Sequence, residues 1–412
     1  MAWPSSHIMD LINKINQSFI QYYESSDKII ERYLTDTQDT HDRECEDEGR
    51  RILLRHFKDV VYCFNNKPIS AIPLLGADRA YYTIDEVHLK WFPDEYVVPE
   101  ALYPVWPRIL MKLIEKAQTH NYPFYNGPCA RLLAYIAQAT EETLKSEKKH
   151  LWLTLGPVGW YDYSIANEWF SPILHSLVGR SVIGNIRQYV DLDNISRGGP
   201  LSSIKLSNIV STATTLLTKD GYIIFSQRGL GVSASPGAYT CAIAENIHQN
   251  KDLEHQNLSP DSVNCPNPFY AVRRGLLEEV SRSLVQYAST QNLLLLGIAF
   301  DLNVFHPDLL FVVALPLDYD DLRERRRQQR GEDFTEGRLI GVPCTLDNPT
   351  LNEYLYDSNW VPSGLASVTR TIEFLKALAS ESNLDFGRVI KALCEEGISN
   401  FNRLYCRDNS HY

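Results

Sequence analysis

Cysteine, clustered positive charge and long apolar runs are all scarce in this chain, and each shortage removes a class of protein. Eight cysteines in 412 residues, none in a CxxC pair, are too few for a disulfide scaffold. They are expected as reduced thiols filling small core or surface positions. His41 and Cys45 lie in the run DTQDTHDRECEDEGR, which reads better as a solvated acidic loop entering a helix than as a metal cluster. Forty Lys plus Arg against 51 Asp plus Glu leave a net charge of -11. Nucleic acid and anionic membrane surfaces reward clustered positive charge, so neither is an expected partner. The longest apolar stretches, Asn292–Phe300 and Leu309–Leu317, are about half of what a bilayer-spanning helix needs. The opening MAWPSSHIMDLINKINQ has no basic segment followed by an apolar one, so a soluble, cytoplasmic protein is expected.

What is present is ordinary for a folded chain. A composition 44% hydrophobic, 22% charged and 11% aromatic excludes a wholly disordered polymer, a collagen or a coiled-coil rod. Residues 1–117 read as a mostly helical region, from the spacing of Ile8, Leu11, Ile12 and Ile15 and of Ile52, Leu53 and Phe57. Prolines at 93, 99, 104 and 107 then impose an extended, aromatic-rich connection. Residues 118–204 read as a small domain of strands around a helix-like insertion, ending in the aromatic run at Trp160, Tyr161, Tyr163 and Trp169. Those rings suit either base stacking or, more commonly, a core between domains.

From 205 to 380 the rhythm is α/β. LSNIVSTATTLLT and DGYIIFSQRG predict a hairpin turning at Lys219-Asp220-Gly221, and PGAYTCAIAE a third strand. A polar stretch over 246–268 precedes a helix over Phe269–Val285. Buried strands at Leu293–Phe300 and Leu309–Leu315, a strand at Arg338–Cys344 and a helix over Leu365–Leu378 complete the domain. Residues 381–412 form a helical tail. The run of Arg323, Arg325, Arg326, Arg327 and Arg330 reads as a solvated helix face, with steering of a phosphate-bearing ligand as its alternative.

The segment AVRRGLLEEV carries the most chemistry. Val272, Leu276, Val280 and Leu284 form one buried helical stripe. Gly275, Glu278 and Glu279 share another face, and Arg274 stands four before Glu278, within reach of its carboxylate. Adjacent carboxylates held by an arginine suit a hard cation such as Mg²⁺ or Mn²⁺, although a Glu-Glu pair is commonly only a solvated face. A mid-helix glycine costs about 1 kcal/mol relative to alanine, so either an approaching ligand or a packing contact is implied at Gly275.

Arg274–Glu279 resembles the R-E-U-x-E-E core of the Nudix hydrolase box, with Gly275 where the family has its first glutamate. GYIIFSQRG is similar to the strand ending in arginine before that box, and SPGAYTCAIAEN to the strand leading into it. FYNGPCARL with LWLTLGPVGWYDYSIANEWF is similar to the domain preceding the Nudix fold in the animal diphosphatase of UDP-glucose and UDP-galactose. The box's leading glycine is not in place, 246–268 is an insertion, and Ser281 and Arg282 stand where a glycine and an aliphatic residue belong.

The resemblance implies an α+β protein with a Nudix αβα sandwich around a mixed sheet. It implies hydrolysis of a nucleoside diphosphate linked to another moiety, a nucleotide sugar among the candidates. Glu278 and Glu279 would hold Mg²⁺ or Mn²⁺, and Glu245 would supply a third oxygen. Glu279, Glu245 or an acid between Glu332 and Glu336 would accept the proton. Arg274 would orient Glu278, and Arg228 would contact a phosphate. Loss of the box glutamate points the other way, to a weak or inactive module that binds a nucleotide or a partner as a sensor, or to a scaffold. Returning a glutamate to position 275 is expected to add the missing ligand without loss of stability, unless the backbone is closely packed there.

Overall fold

The turn at Lys219-Asp220-Gly221 joins the two strands as expected. Gly221 has φ +87°, a conformation that favours glycine, and its N–H donates to Thr218 O at 2.9 Å. The computed structural model describes residues 40–64, 67–75, 81–103, 106–119, 126–138, 149–169, 171, 190–197, 199–201, 204–230, 235–253, 265–284, 286–287, 292–330, 337–345 and 348–405. The Ile8–Ile15 stripe and the Glu332–Glu336 acids lie outside these residues.

Thirteen strands occur in the described residues, in the order β1 (Cys63–Phe64), β2 (Lys67–Pro68), β3 (Ala71–Leu75), β4 (Val87–Trp91), β5 (Pro128–Gln138), β6 (His150–Gly159), β7 (Ser211–Thr218), β8 (Tyr222–Arg228), β9 (Tyr239–Cys241), β10 (Ile243–Asn246), β11 (Leu293–Asp301), β12 (His306–Leu315) and β13 (Gly337–Pro343). The longer helices are α1 (Thr40–His56), α2 (Trp106–Thr119), α3 (Pro268–Gly275), α4 (Tyr319–Arg330), α5 (Pro349–Tyr356), α6 (Pro362–Ser382) and α7 (Phe386–Tyr405).

A mixed sheet runs β13-β8-β7-β12-β11-β3, with β10 also on β7 and β9 also on β8. Only β7 and β12 pair in parallel within it. Every residue of β7, β11 and β12 is buried, as expected for strands covered on both faces. On one face Val272 and Leu276 pack with Leu309, Phe311 and Val313. On the other, Leu365, Val368 and Ile372 of α6 pack with Leu217, Leu310 and Val312. The chain is therefore an α+β protein with helices on both faces of a mixed sheet.

The single strand expected over PGAYTCAIAE is two. β9 pairs with β8, and after Ala242 the chain passes to β7 as β10. The reason lies in β8, whose paired residues with β7 are only Ile223 and Ile224, leaving the first half of β7 for another partner.

The mostly helical reading of the first 117 residues holds for α1 and α2 but not between them. Ala71–Leu75 is a strand at the edge of the large sheet, opposite Ile298–Asp301 of β11. An edge strand tolerates Pro73, which a helix interior does not. β4 joins β6 in parallel, and β5 joins β6 antiparallel, in a three-stranded sheet. This sheet is laced to the large one: Ala130 N–H donates to Ile247 O at 2.8 Å, and Val210 N–H to Ala130 O at 3.0 Å. One hydrophobic cluster accordingly extends from Leu53 to Leu322. Among the described residues no helix is long and apolar enough to cross a membrane.

Candidate functional site

The carboxylate-bearing helix starts where the sequence turns to Asn-Pro. Asn267 is the N-cap, accepting Phe269 N–H at 3.0 Å, and Pro268 fills the first helical position. Val272, Leu276, Val280 and Leu284 are fully buried, each side chain contributing about 1.5–3 kcal/mol relative to exposure. After Gly275 the coil widens into a π-turn over Leu276–Val280 and stops at the extended Ser281. Both glutamates ride on this wide turn, a feature common at functional sites.

Arg274 is the hub. Its Nε and Nη2 donate to Asp252 Oδ1 and Oδ2 at 2.9 and 3.1 Å, a bidentate pair with a carboxylate that has no exposed surface. Nη1 donates to Glu245 Oε2 at 2.6 Å, and Nη2 to Asn246 O at 2.8 Å. The expected bond to Glu278 is the longest of the set, 3.4 Å, and that side chain is half exposed. The orientation of Glu278 by Arg274 is thus a minor part of what Arg274 does. Asp252 and Glu245 outweigh the cost of burying the guanidinium and raise its pKa.

Asp252 was not legible as a partner. It lies 22 residues before Arg274, whereas helical spacing identifies only neighbours three or four away. It closes the root of the 246–268 stretch as well, accepting His248 N–H at 2.7 Å while its carbonyl accepts Asn267 N–H at 2.8 Å. Residues 254–264 of that stretch lie outside the described residues.

Glu245 stands on β10 on the face of Ile243, toward α3. Burial pushes its carboxyl up to about 7, the Arg274 guanidinium opposing this only in part. Its neighbour is Gly275, whose φ of -59° any residue adopts, so the glycine is there for space. A Cβ on Gly275 would collide with Ile243 Cγ2 and meet Glu245 Cγ at 2.8 Å and Oε1 at 3.7 Å. A side chain at 275 requires Ile243 and Glu245 to shift, so the close-packed exception to unchanged stability applies.

Glu279 Oε1 accepts Ala244 N–H at 3.3 Å, turning this carboxylate toward the β10 backbone. Glu245, Glu278 and Glu279 do not converge on one point. Among the described residues the group of three ligand-type side chains close enough to share an ion is Asp301, His306 and Asp308, at the β11–β12 turn. Arg228 ends β8 opposite Gly337, its N–H donating to Ala238 O, outside the bonds of the Arg274 network.

Three arginines of the basic run on α4 are engaged by neighbouring groups. Arg325 donates to Ser283 Oγ at 3.2 Å and lies 5.9 Å from the Tyr287 ring, and Arg326 donates to Gly337 O at 2.7 Å. Arg327 makes two 2.8 Å bonds to Glu324. Gln329 clamps the π-turn, donating to Leu277 O at 3.3 Å and accepting Arg282 N–H.

Of the aromatic run, Tyr163 is buried while Trp160 and Tyr161 are only half-buried. Tyr163 lies 5.2 Å from Trp160 and stacks on His306 at 5.4 Å. Buried thiols at Cys129, Cys241, Cys265 and Cys344 are pushed up to about 12, which removes them as nucleophiles at neutral pH. No protein-family model matches this chain, and comparison with curated proteins finds no match to its sequence.

Proposed function

We propose that this chain is a Nudix-type hydrolase, metal-dependent, acting on a nucleoside diphosphate linked to another moiety such as a sugar. Glu245 of β10 takes the place of the glutamate that the box lacks at Gly275. The observation that carries this reading is the placement of Glu245 over Gly275, with Oε1 3.7 Å from where a side chain at 275 would begin. A carboxylate is thereby returned to the vacant position from a neighbouring strand.

The helix flanked by a mixed sheet, with a second helix behind, supports the family resemblance. Glu278 and Glu279 fit a hard divalent cation, being adjacent oxygen donors with Glu278 open to solvent. Mg²⁺ is commonly held by one or two carboxylates together with substrate phosphates and water, so a preassembled cage of three is not required. Mg²⁺ or Mn²⁺ bound with the diphosphate would polarise a phosphoryl oxygen.

Glu245, with its pKa near 7, accepts the proton of the attacking water as the new P–O bond forms and the bridging P–O bond breaks. Arg274 holds Glu245 in place through the 2.6 Å bond and is itself anchored by buried Asp252.

A second reading, a module that binds the same ligand class without turnover, is favoured by the outward turn of Glu278. The two are separated by incubating the full chain with Mg²⁺ or Mn²⁺ and a panel of nucleotide sugars, dinucleotides and nucleoside diphosphates. The enzyme reading expects phosphate-bearing products from some member, abolished in Glu279→Gln. Binding without products supports the sensor, and neither binding nor products removes both.

A further inference from the structure

Asp301 ends β11, His306 begins β12, and Asp308 lies two residues on; the first two face each other across the turn 302–305. All three are buried, with 1%, 7% and 3% of their surfaces exposed. One ligand atom from each lies within 4.8 Å of the others. Asp301 is already oriented by backbone donors, Asn303 N–H at 2.6 Å and the N–H groups of Val304 and Ser363. Asp308 Oδ2, however, sits 3.4 Å from His306 Nε2 with no hydrogen-bond partner, and His306 Nδ1 has none either.

Orphaned polar atoms at this depth each cost about 1–3 kcal/mol, more when charged. Arg50 acts on Asp301 only through space, its guanidinium being paired with Glu46 and Asp47. We propose that Asp301, His306 and Asp308 bind a divalent transition ion, Zn²⁺ or Mn²⁺, as a buried site that ties the fold together. One ion satisfies the free oxygen of Asp308, a ring nitrogen of His306 and the Asp301 carboxylate together. An imidazole with two carboxylates suits such ions better than Ca²⁺ or Mg²⁺, which prefer oxygen alone.

The outer contacts are those of a metal site. Backbone N–H groups fix Asp301, the Ser363 side chain bonds Asp308, and Tyr163 covers the imidazole. Because Ser363 opens α6, the ion ties the turn 302–305 to the start of that helix. Asp308 shares the face of Leu310 and Val312, opposite to that of Glu245, so the site is independent of the hydrolase reading.

The test is metal content of the full chain, expressed in medium containing Zn²⁺ and Mn²⁺ and measured by elemental analysis after dialysis. About one equivalent of one of these ions is expected. It should fall to background in Asp308→Asn and His306→Gln and persist in Glu278→Gln and Glu279→Gln. Should the first two variants fail to fold, the wild type decides alone. Chelator should lower its thermal midpoint, and adding back the same ion should restore it. Background metal with a midpoint indifferent to chelator and to both ions overturns the proposal. So does metal retained in folded Asp308→Asn and His306→Gln.

Discussion

The side chain of Glu245 lies over Gly275, its Cγ 2.8 Å and its Oε1 3.7 Å from the point where a β-carbon on that glycine would stand. Strand β10 and helix α3 therefore approach closely because one side of the contact has no side chain. A carboxylate of the strand thus stands beside the one position of this helix turn that has no side chain.

Gly275→Ala should destabilise the protein, although alanine is the better helix former by about 1 kcal/mol. Its methyl meets Ile243 and Glu245, and overpacking of this kind costs about 1–3 kcal/mol or more. Denaturant titration checks this. The double variant with Ile243→Ala should lose less than the two single losses added together. Equal or greater stability of Gly275→Ala would remove the close contact.

Asp252→Ala should be the most damaging change in the Arg274 network. It removes the bidentate partner of a largely buried guanidinium, a loss of about 3–5 kcal/mol. Glu278→Gln should cost well under about 1 kcal/mol, its 3.4 Å contact being half exposed. The midpoints of the two variants give the ranking, and the reverse order would restore Glu278 as the principal partner.

Under the proposed hydrolase reading, the pH profile of turnover would follow from Glu245. Its folded pKa is raised to about 7 from 4.5, so below 7 it is protonated and cannot accept the proton of water. kcat/KM should rise through a limb near 7 and level above it. The same shift acts on stability with the opposite trend: the folded state holds the proton more tightly, so Glu245's contribution falls as pH rises from about 4.5 to about 7. A limb near 4.5 instead would exclude Glu245 as the base.

Much of the sheet was legible because its signals are local. The apolar runs of β11 and β12 and the Asp-Gly turn before β8 each report themselves within ten residues. The stripe Val272, Leu276, Val280 likewise follows from helical period alone. What failed to show were relationships between distant segments. Ala71–Leu75 is a strand because β11 offers an edge some 220 residues later, and nothing in AIPLL itself requires that. Asp252 pairs with Arg274 because the chain returns at Asn267 to meet Asp252 before α3 begins. The trio at 301, 306 and 308 lies within a run whose apolar majority reads only as buried strand.

Glu245→Gln is the variant that bears most directly on the hydrolase reading. It keeps the size of the side chain and one oxygen for Arg274, while Asp252 still anchors the guanidinium, so the fold should persist. Turnover of whichever panel member the wild type cleaves, measured with saturating Mg²⁺ at pH 8, should show kcat reduced by about a hundredfold or more. The affinity for that ligand, measured without metal, should change little. A Glu245→Gln protein with wild-type kcat would contradict the assignment of Glu245 to the place left by Gly275.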